Sequence, residues 1–249
     1  MKAFILVGGL GTRFGEVSKF TPKPLITIGD RPILWHIIRN FVEQGILEIY
    51  LLCRSSNIES FVDFANQLNG AVKSNLTLKG IGLEFVKVID TGNDSTTADR
   101  IVIGCSEIIK DKHEKFLVTY GDSLLDIDIS KLFDFIKKKD LTLSLTAVTP
   151  PIAYATIKSD DGMVVKFNEK KWPERTYING GYYVFNLAQI LSFYSRGAEL
   201  ESRILPLLAE NSLLGCYIHE GFWHPMDNEL DRRSLESLIE SKDAPWINW

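Results

Sequence analysis

Apolar positions along the 249-residue chain form short unbroken runs that alternate with stretches of helical spacing. Residues 3–7, Ala-Phe-Ile-Leu-Val, are continuous and stop at Gly8-Gly9, the pattern of a strand buried on both faces. Between Pro32 and Gln44, Ile33, Ile37 and Phe41 recur at helical intervals, and Gly45 supplies the stop. Glu48–Cys53 reads as the next strand, Ile58 to Leu68 as a helix, and residues 83–90 as a strand. Ser95-Thr96-Thr97 offers hydroxyl caps for a following helix, and Phe116–Tyr120 is a second buried strand ending at Gly121-Asp122. This alternation predicts an α/β fold with a doubly wound, mostly parallel sheet of Rossmann-like type. Beyond about residue 140 the pattern becomes strand-rich, with strands over 141–148, 154–158, 163–168, 178–185 and 213–218. Helices are expected near 199–209 and 228–241. No repeat or linker-like stretch divides the chain, so one domain over 1–249 is expected, with a strand-rich C-terminal extension.

Composition narrows the function. Hydrophobic residues at 45 % and charged residues at 24 % are ordinary for a globular chain. The net charge of −4 weighs against a phosphate-tracking nucleic-acid binder, so any anion site must be local. Cys53, Cys105 and Cys216 are far apart and odd in number, which reads as free, buried thiols in a reducing compartment. No apolar run reaches the roughly 18 residues of a membrane span, and the first strand has no cleavage pattern after it. A cytoplasmic protein with no membrane or nucleic-acid partner is the expectation.

Candidate chemistry starts at Gly8-Gly9-Leu10-Gly11-Thr12-Arg13, directly after the first strand. Glycines there let backbone N–H groups turn toward phosphate oxygens, and Arg13 adds a forked cation. The segment is neither a Walker A loop nor the dinucleotide GxGxxG, because no Gly-Lys-Ser/Thr follows and Phe14 takes the third glycine position. Pro22-Lys23-Pro24 would hold Lys23 on a stiff, extended segment as a second phosphate cation; a solvated surface lysine is the plain alternative. Asp122 and Asp227 each end an apolar segment, and two such carboxylates suit Mg²⁺, which keeps waters and takes phosphate oxygens. Helix capping is the competing explanation for each aspartate. His219 and His224, five apart, lack the spacing of a helical metal pair. With no nucleophile motif in the chain, the set points to phosphoryl or nucleotidyl transfer.

These residues resemble the signature of the sugar-nucleotide pyrophosphorylases, a nucleotidyltransferase superfamily. Within it the chain looks like the glucose-1-phosphate cytidylyltransferase branch. The glycine-rich segment followed by Pro22-Lys23-Pro24 carries the superfamily likeness. Thr119-Tyr120-Gly121-Asp122, Ile178-Asn179-Gly180-Gly181-Tyr182-Tyr183-Val184, Gly221-Phe222-Trp223-His224-Pro225-Met226-Asp227 and Ala244-Pro245-Trp246 carry the likeness to the branch. The resemblance implies a nucleotide site formed by Leu6, Val7, Gly8, Gly9, Leu10, Gly11, Thr12, Arg13, Lys23, Ser95, Arg100 and Gly121. It implies catalytic roles for Arg13, Lys23, Asp122 and Asp227, with the two aspartates holding Mg²⁺. Glu169, Lys170, Asn179 and Gly180 would meet the acceptor. Residues 1–140 then form the nucleotide part and 141–249 the acceptor part, with a role in oligomerisation.

The chain also departs from the branch. Glu169-Lys170-Lys171 stands for Glu-Lys-Pro, Arg54-Ser55-Ser56-Asn57 for Gly-Tyr-Lys-Gly, and Ala98-Asp99 for Gly-Gly before Arg100. Ile152-Ala153-Tyr154 replaces an arginine-bearing segment that follows the paired prolines. The implied reaction is CTP plus a sugar 1-phosphate, glucose 1-phosphate first, giving a CDP-sugar and pyrophosphate. The alternatives are another phosphorylated acceptor such as a polyol phosphate, another nucleoside triphosphate, or a non-catalytic nucleotide-binding module. A homo-oligomer is implied, and Trp246 and Trp249 at the tail are expected to form a subunit contact rather than fold back on their own chain.

Overall fold

The computed structural model describes residues 1–9, 21–73, 85–150, 156–169, 176–247 and 249. In chain order the first half contains β1 (Lys2–Leu6), β2 (Thr27–Ile28), β3 (Arg31–Pro32), α1 (Ile33–Glu43), β4 (Glu48–Cys53), α2 (Ile58–Lys73), β5 (Phe85–Asp90), α3 (Thr97–Ile108) and β6 (Lys115–Tyr120). The second half contains β7 (Ser123–Leu125), α4 (Ile129–Lys138), β8 (Leu143–Val148), β9 (Thr156–Asp160), β10 (Met163–Asn168), β11 (Ile178–Asn186) and α5 (Leu187–Phe193). A π-helical turn at Leu200–Ile204 leads into α6 (Leu205–Glu210), β12 (Leu214–His219), β13 (Trp223–Pro225) and α7 (Glu229–Glu240).

One seven-stranded sheet, ordered β12-β8-β11-β6-β1-β4-β5, carries the fold. Strands β6, β1, β4 and β5 run parallel, as does β12 beside β8; only β11 is antiparallel to its neighbours β6 and β8. The doubly wound, mostly parallel reading is therefore what the chain adopts, and the sheet continues through both halves.

The unbroken apolar run of β1 has a simple cause. Ala3, Ile5 and Val7 enter one hydrophobic cluster, while Phe4 and Leu6 enter a second cluster on the opposite face. Residues from α1 and α2 pack in the first cluster, and residues from α3, α5 and α6 in the second. Thr96 caps α3 in a reciprocal box with Asp99, so the hydroxyl-rich start is used as its composition suggests.

Two expectations are corrected. Cys53 and Cys105 are buried, but Cys216 is exposed, because β12 is the edge strand and alternate side chains there point outward. Both indoles of the tail fold back onto their own chain. Trp246 is buried in the first cluster, stacks on Phe222 at 5.3 Å, and donates its indole N–H to His36 Nδ1 at 3.3 Å. Trp249 packs edge-on against Trp35 at 6.2 Å, with the Arg39 guanidinium 5.6 Å from its ring centre. Apolar surface was available on α1, and the tail is long enough to reach it.

Candidate active site

Lys23 opens a 3-10 turn closed by Leu25 N–H to Pro22 O at 2.8 Å and Ile26 N–H to Lys23 O at 3.1 Å. The expected extended presentation of Lys23 is thus corrected. Pro22 is extended, but Pro24 sits early in the turn, where its missing N–H breaks no bond. The turn aims the ammonium at two carboxylates from distant parts of the chain. Lys23 Nζ lies 2.7 Å from Asp122 Oδ2 and 2.7 Å from Asp227 Oδ1. Burial alone would push this ammonium down, but Asp122 and then Asp227 outweigh it and hold Lys23 above its ordinary range. The lysine side chain is only 11 % exposed, against 34 % for Asp122 and 42 % for Asp227, so the carboxylates face outward over a cation held beneath them.

Each aspartate is delivered by its own strand end. Asp122 follows β6 through Gly121, whose N–H donates to Leu6 O at 3.1 Å. A Cβ on Gly121 would meet Val7 Cγ1 at 3.0 Å and Pro24 Cγ at 3.1 Å, so glycine lets β1, β6 and the lysine turn converge. Asp227 follows β13, which pairs antiparallel with β7; Trp223 faces Leu125 and Pro225 faces Ser123. Met226 N–H closes this ribbon on Asp122 O at 2.8 Å. Capping explains neither aspartate. Asn228 caps α7, its Oδ1 accepting from Leu230 and Asp231 N–H, and Asp122 leads into β7 rather than a helix.

A cation, two outward carboxylates and a strand end rich in glycine suit the handling of phosphates, and most of the chain carries a matching family pattern. The model of the nucleotidyl transferase family covers residues 2–226. The chain belongs to that family. It is 35 % identical to the glucose-1-phosphate cytidylyltransferase of Salmonella typhi, over all of both proteins. It is 32 % identical to the probable glucose-1-phosphate cytidylyltransferase of Bacillus subtilis (strain 168), again over all of both. Among solved structures, HddC from Yersinia pseudotuberculosis complexed with GMP-PN superposes with a TM-score of 0.70 at 21 % identity, covering 96 % of this chain and 99 % of that one. At that identity the match speaks for the fold.

Other sites on this nucleotidyltransferase fall into three groups. At the carboxyl end of β1, Val7 N–H continues the ladder to Leu52 O at 3.0 Å, followed by Gly8 and Gly9. Arg100, only 7 % exposed, reaches this end from α3, with Nη1 3.3 Å from Gly8 O and with no hydrogen-bond partner on Nε. Burial, and then the Arg54 guanidinium, push Arg100 below its ordinary range. Such a guanidinium has donors to spare for a ligand acceptor. Ser95 bonds Thr91 O within its own loop and lines a cavity of about 450 Å³ with Asn93, Asp94, Asp99, Tyr194 and Arg196. Arg100, Asp122 and Asp227 are not among its lining residues.

On the expected acceptor side, Asn179 donates to Tyr183 Oη at 2.6 Å and accepts from Gly181 N–H at 3.0 Å. Gly180 O accepts the Trp223 indole N–H at 3.0 Å, which ties β11 to the ribbon carrying Asp227. Glu169 is exposed just beyond β10. Leu10, Gly11, Thr12, Arg13, Lys170 and Ile152-Ala153-Tyr154 lie outside the described residues.

Trp223 escaped the sequence reading as a contributor to the site, as did the β7–β13 ribbon. Three-residue strands carry too little periodicity to be seen. The one available signal was the aromatic-rich run Gly221–Met226 ending in Asp227.

Proposed function

We propose that this nucleotidyltransferase transfers the cytidylyl group of CTP to glucose 1-phosphate, giving CDP-glucose and pyrophosphate. The observation that carries this reading is the full-length 35 % identity to a glucose-1-phosphate cytidylyltransferase, joined to the Lys23–Asp122–Asp227 cluster. Residues 1–140 serve the nucleotide and 141–249 the acceptor.

The donor set suits a divalent cation. Asp122 and Asp227 supply hard oxygens on the exposed side of a shared ammonium. Among the described residues no group of three or more His, Cys, Asp or Glu side chains could hold a metal. Two carboxylates of this kind suit Mg²⁺, which completes its shell with water and phosphate oxygens. When bound, Mg²⁺ supplies positive charge to the phosphate oxygens.

The chain's residues then align two anions that repel each other. An acceptor phosphate oxygen attacks the α-phosphorus in line and pyrophosphate leaves, with no covalent intermediate on the protein. The acceptor phosphate is already anionic, so no general base is required. Lys23 keeps the two carboxylates together, neutralises local charge and serves as the cation nearest the α-phosphate, a role supported by its pairing with Asp122 and Asp227. Arg13 stabilises the leaving pyrophosphate, and Lys170 orients the acceptor. Arg100 uses its free donors on the nucleotide, as do the backbone groups of Leu6–Gly9. Asn179 and Gly180 line the sugar side.

The reading extends to a cytoplasmic homo-oligomer, for which the family likeness is the support. Among the described residues no helix is long and apolar enough to cross a membrane. Pyrophosphate release with CTP, UTP or dTTP against glucose 1-phosphate tests the reaction. CTP is expected to exceed the others in kcat/KM by tenfold or more. UTP matching CTP overturns the base assignment, and turnover only with another phosphate acceptor overturns the sugar. Light scattering at micromolar concentration tests the oligomer, which a monomer would overturn.

A further inference from the structure

The two carboxylates meet because the β7–β13 ribbon holds their strand ends together, and a ribbon of three residues per strand cannot hold its own register. Its site end is closed by Met226 N–H on Asp122 O and by Lys23. At the opposite end lies a second closure that the reaction does not use. Asp126, immediately after β7, sends Oδ1 to within 2.9 Å of His219 Nε2, at the end of β12. The same Nε2 is 3.1 Å from Phe222 O, and Asp126 N–H donates to Phe222 O at 3.3 Å. Both neighbours of Nε2 are acceptors, so that nitrogen carries the hydrogen and one donor serves the two ribbon strands at once. Gly221 lies between them: a Cβ there would run into Asp126 Oδ1 and stand 2.8 Å from His219 Cε1. The histidine is buried at 8 % exposure, and β12 belongs to the main sheet.

We propose that Asp126 and His219 are positioning residues: their contact anchors the far end of the ribbon to the main sheet and thereby fixes the separation of Asp122 and Asp227. The proposal rests on the reading of those carboxylates as cation ligands. A pair of carboxylates gives a divalent ion a defined bite only if their spacing is held to a fraction of an ångström, and β7 and β13 have few backbone bonds for that task. The latch adds a side-chain bond across the ribbon, and it ties β13 to the sheet that supports β6 and Asp122.

The test is Mn²⁺ binding, followed by water proton relaxation on the whole protein without nucleotide, together with Tm. His219→Ala is expected to weaken Mn²⁺ binding by about tenfold, the usual scale for residues that orient ligands. His219→Gln, which restores an N–H donor, is expected to recover binding to within about threefold of the wild type. Should His219→Ala fail to fold, Asp126→Asn carries the same comparison, with a several-fold loss expected. A lowered Tm with unchanged Mn²⁺ binding in these variants overturns the proposal and leaves the contact purely structural. Failure to regain binding with a folded His219→Gln variant also overturns it. Asp227→Asn separates the two readings. If that variant binds Mn²⁺ like the wild type, the carboxylate assignment itself falls, whatever His219 does.

Discussion

The β7–β13 ribbon and the β9–β10 hairpin are both two-stranded and antiparallel, and both lie apart from the seven-stranded sheet. Their surroundings are opposite. In the ribbon, Leu124 and Leu125 are buried, Trp223 bonds Gly180 O, and Phe222 just before it is stacked under Trp246. In the hairpin, Ile157 and Phe167 sit opposite each other at 63 % and 65 % exposure, and Met163, Val164 and Val165 are also exposed. Lys158 faces Lys166 directly, a like-charge pair that weakens the pairing. A two-stranded ribbon gains its definition from what it packs on rather than from its own ladder. The better-packed ribbon is the one entrusted with the carboxylates.

Removing the charge the ribbon delivers should have the largest effect on the molecule. Asp227→Asn keeps shape and is expected to lower turnover by orders of magnitude with a small change in Tm; pyrophosphate release and thermal melting measure both. Near-normal turnover in a folded variant would remove the chemical distinction between the two ribbons.

Acid should loosen the cover over the ribbon. Burial pushes the His36 imidazole down to about 4, and its Nδ1 must stay unprotonated to accept from Trp246. The unfolded chain takes up that proton near pH 6.5 and the folded chain refuses it until about 4. This contribution is therefore complete above pH 6.5 and falls away as pH drops toward 4, by on the order of 3 kcal/mol. Denaturant melts from pH 7.5 to 4.5 should show this slope, and His36→Phe should flatten it.

Crowding the latch comes next. Gly221→Ala places a methyl group against Asp126 and His219, at a cost of about 1–3 kcal/mol and with reduced turnover, read by chemical denaturation and kinetics. The smallest effect belongs to the hairpin. Phe167→Thr removes a large but exposed ring, so stability should move by no more than about 0.5 kcal/mol in the same assay. A loss of several kcal/mol would mean that the hairpin is packed after all, and the contrast would dissolve.

Legibility in the sequence followed the same division. The parallel strands β1, β4 and β6 were visible because burial on both faces demands unbroken apolar runs, which no loop imitates. The helix α1 showed its spacing and its stop, and α7 its extent. The strands β7 and β13 did not, since three residues cannot display a period, and β13 holds a proline and a histidine. Lys23 was recognisable as a candidate cation, but its turn came from Pro22 and Pro24 acting together with backbone bonds that the sequence does not announce.

By itself, then, the sequence determined the α/β layering, the glycine-rich strand end and the residue types able to meet phosphate. These depend on patterns spanning a few neighbouring residues, and local sterics and burial are enough to write them. The tertiary structure alone decided that Lys23 would sit between Asp122 and Asp227, that Asn228 rather than Asp227 would cap α7, and that the terminal indoles would close over their own chain. The two ion pairs join residues 99 and 204 positions apart. Contacts at such separation exist only once the sheet has brought the strand ends to one edge, because no local preference encodes which distant charge will be the neighbour.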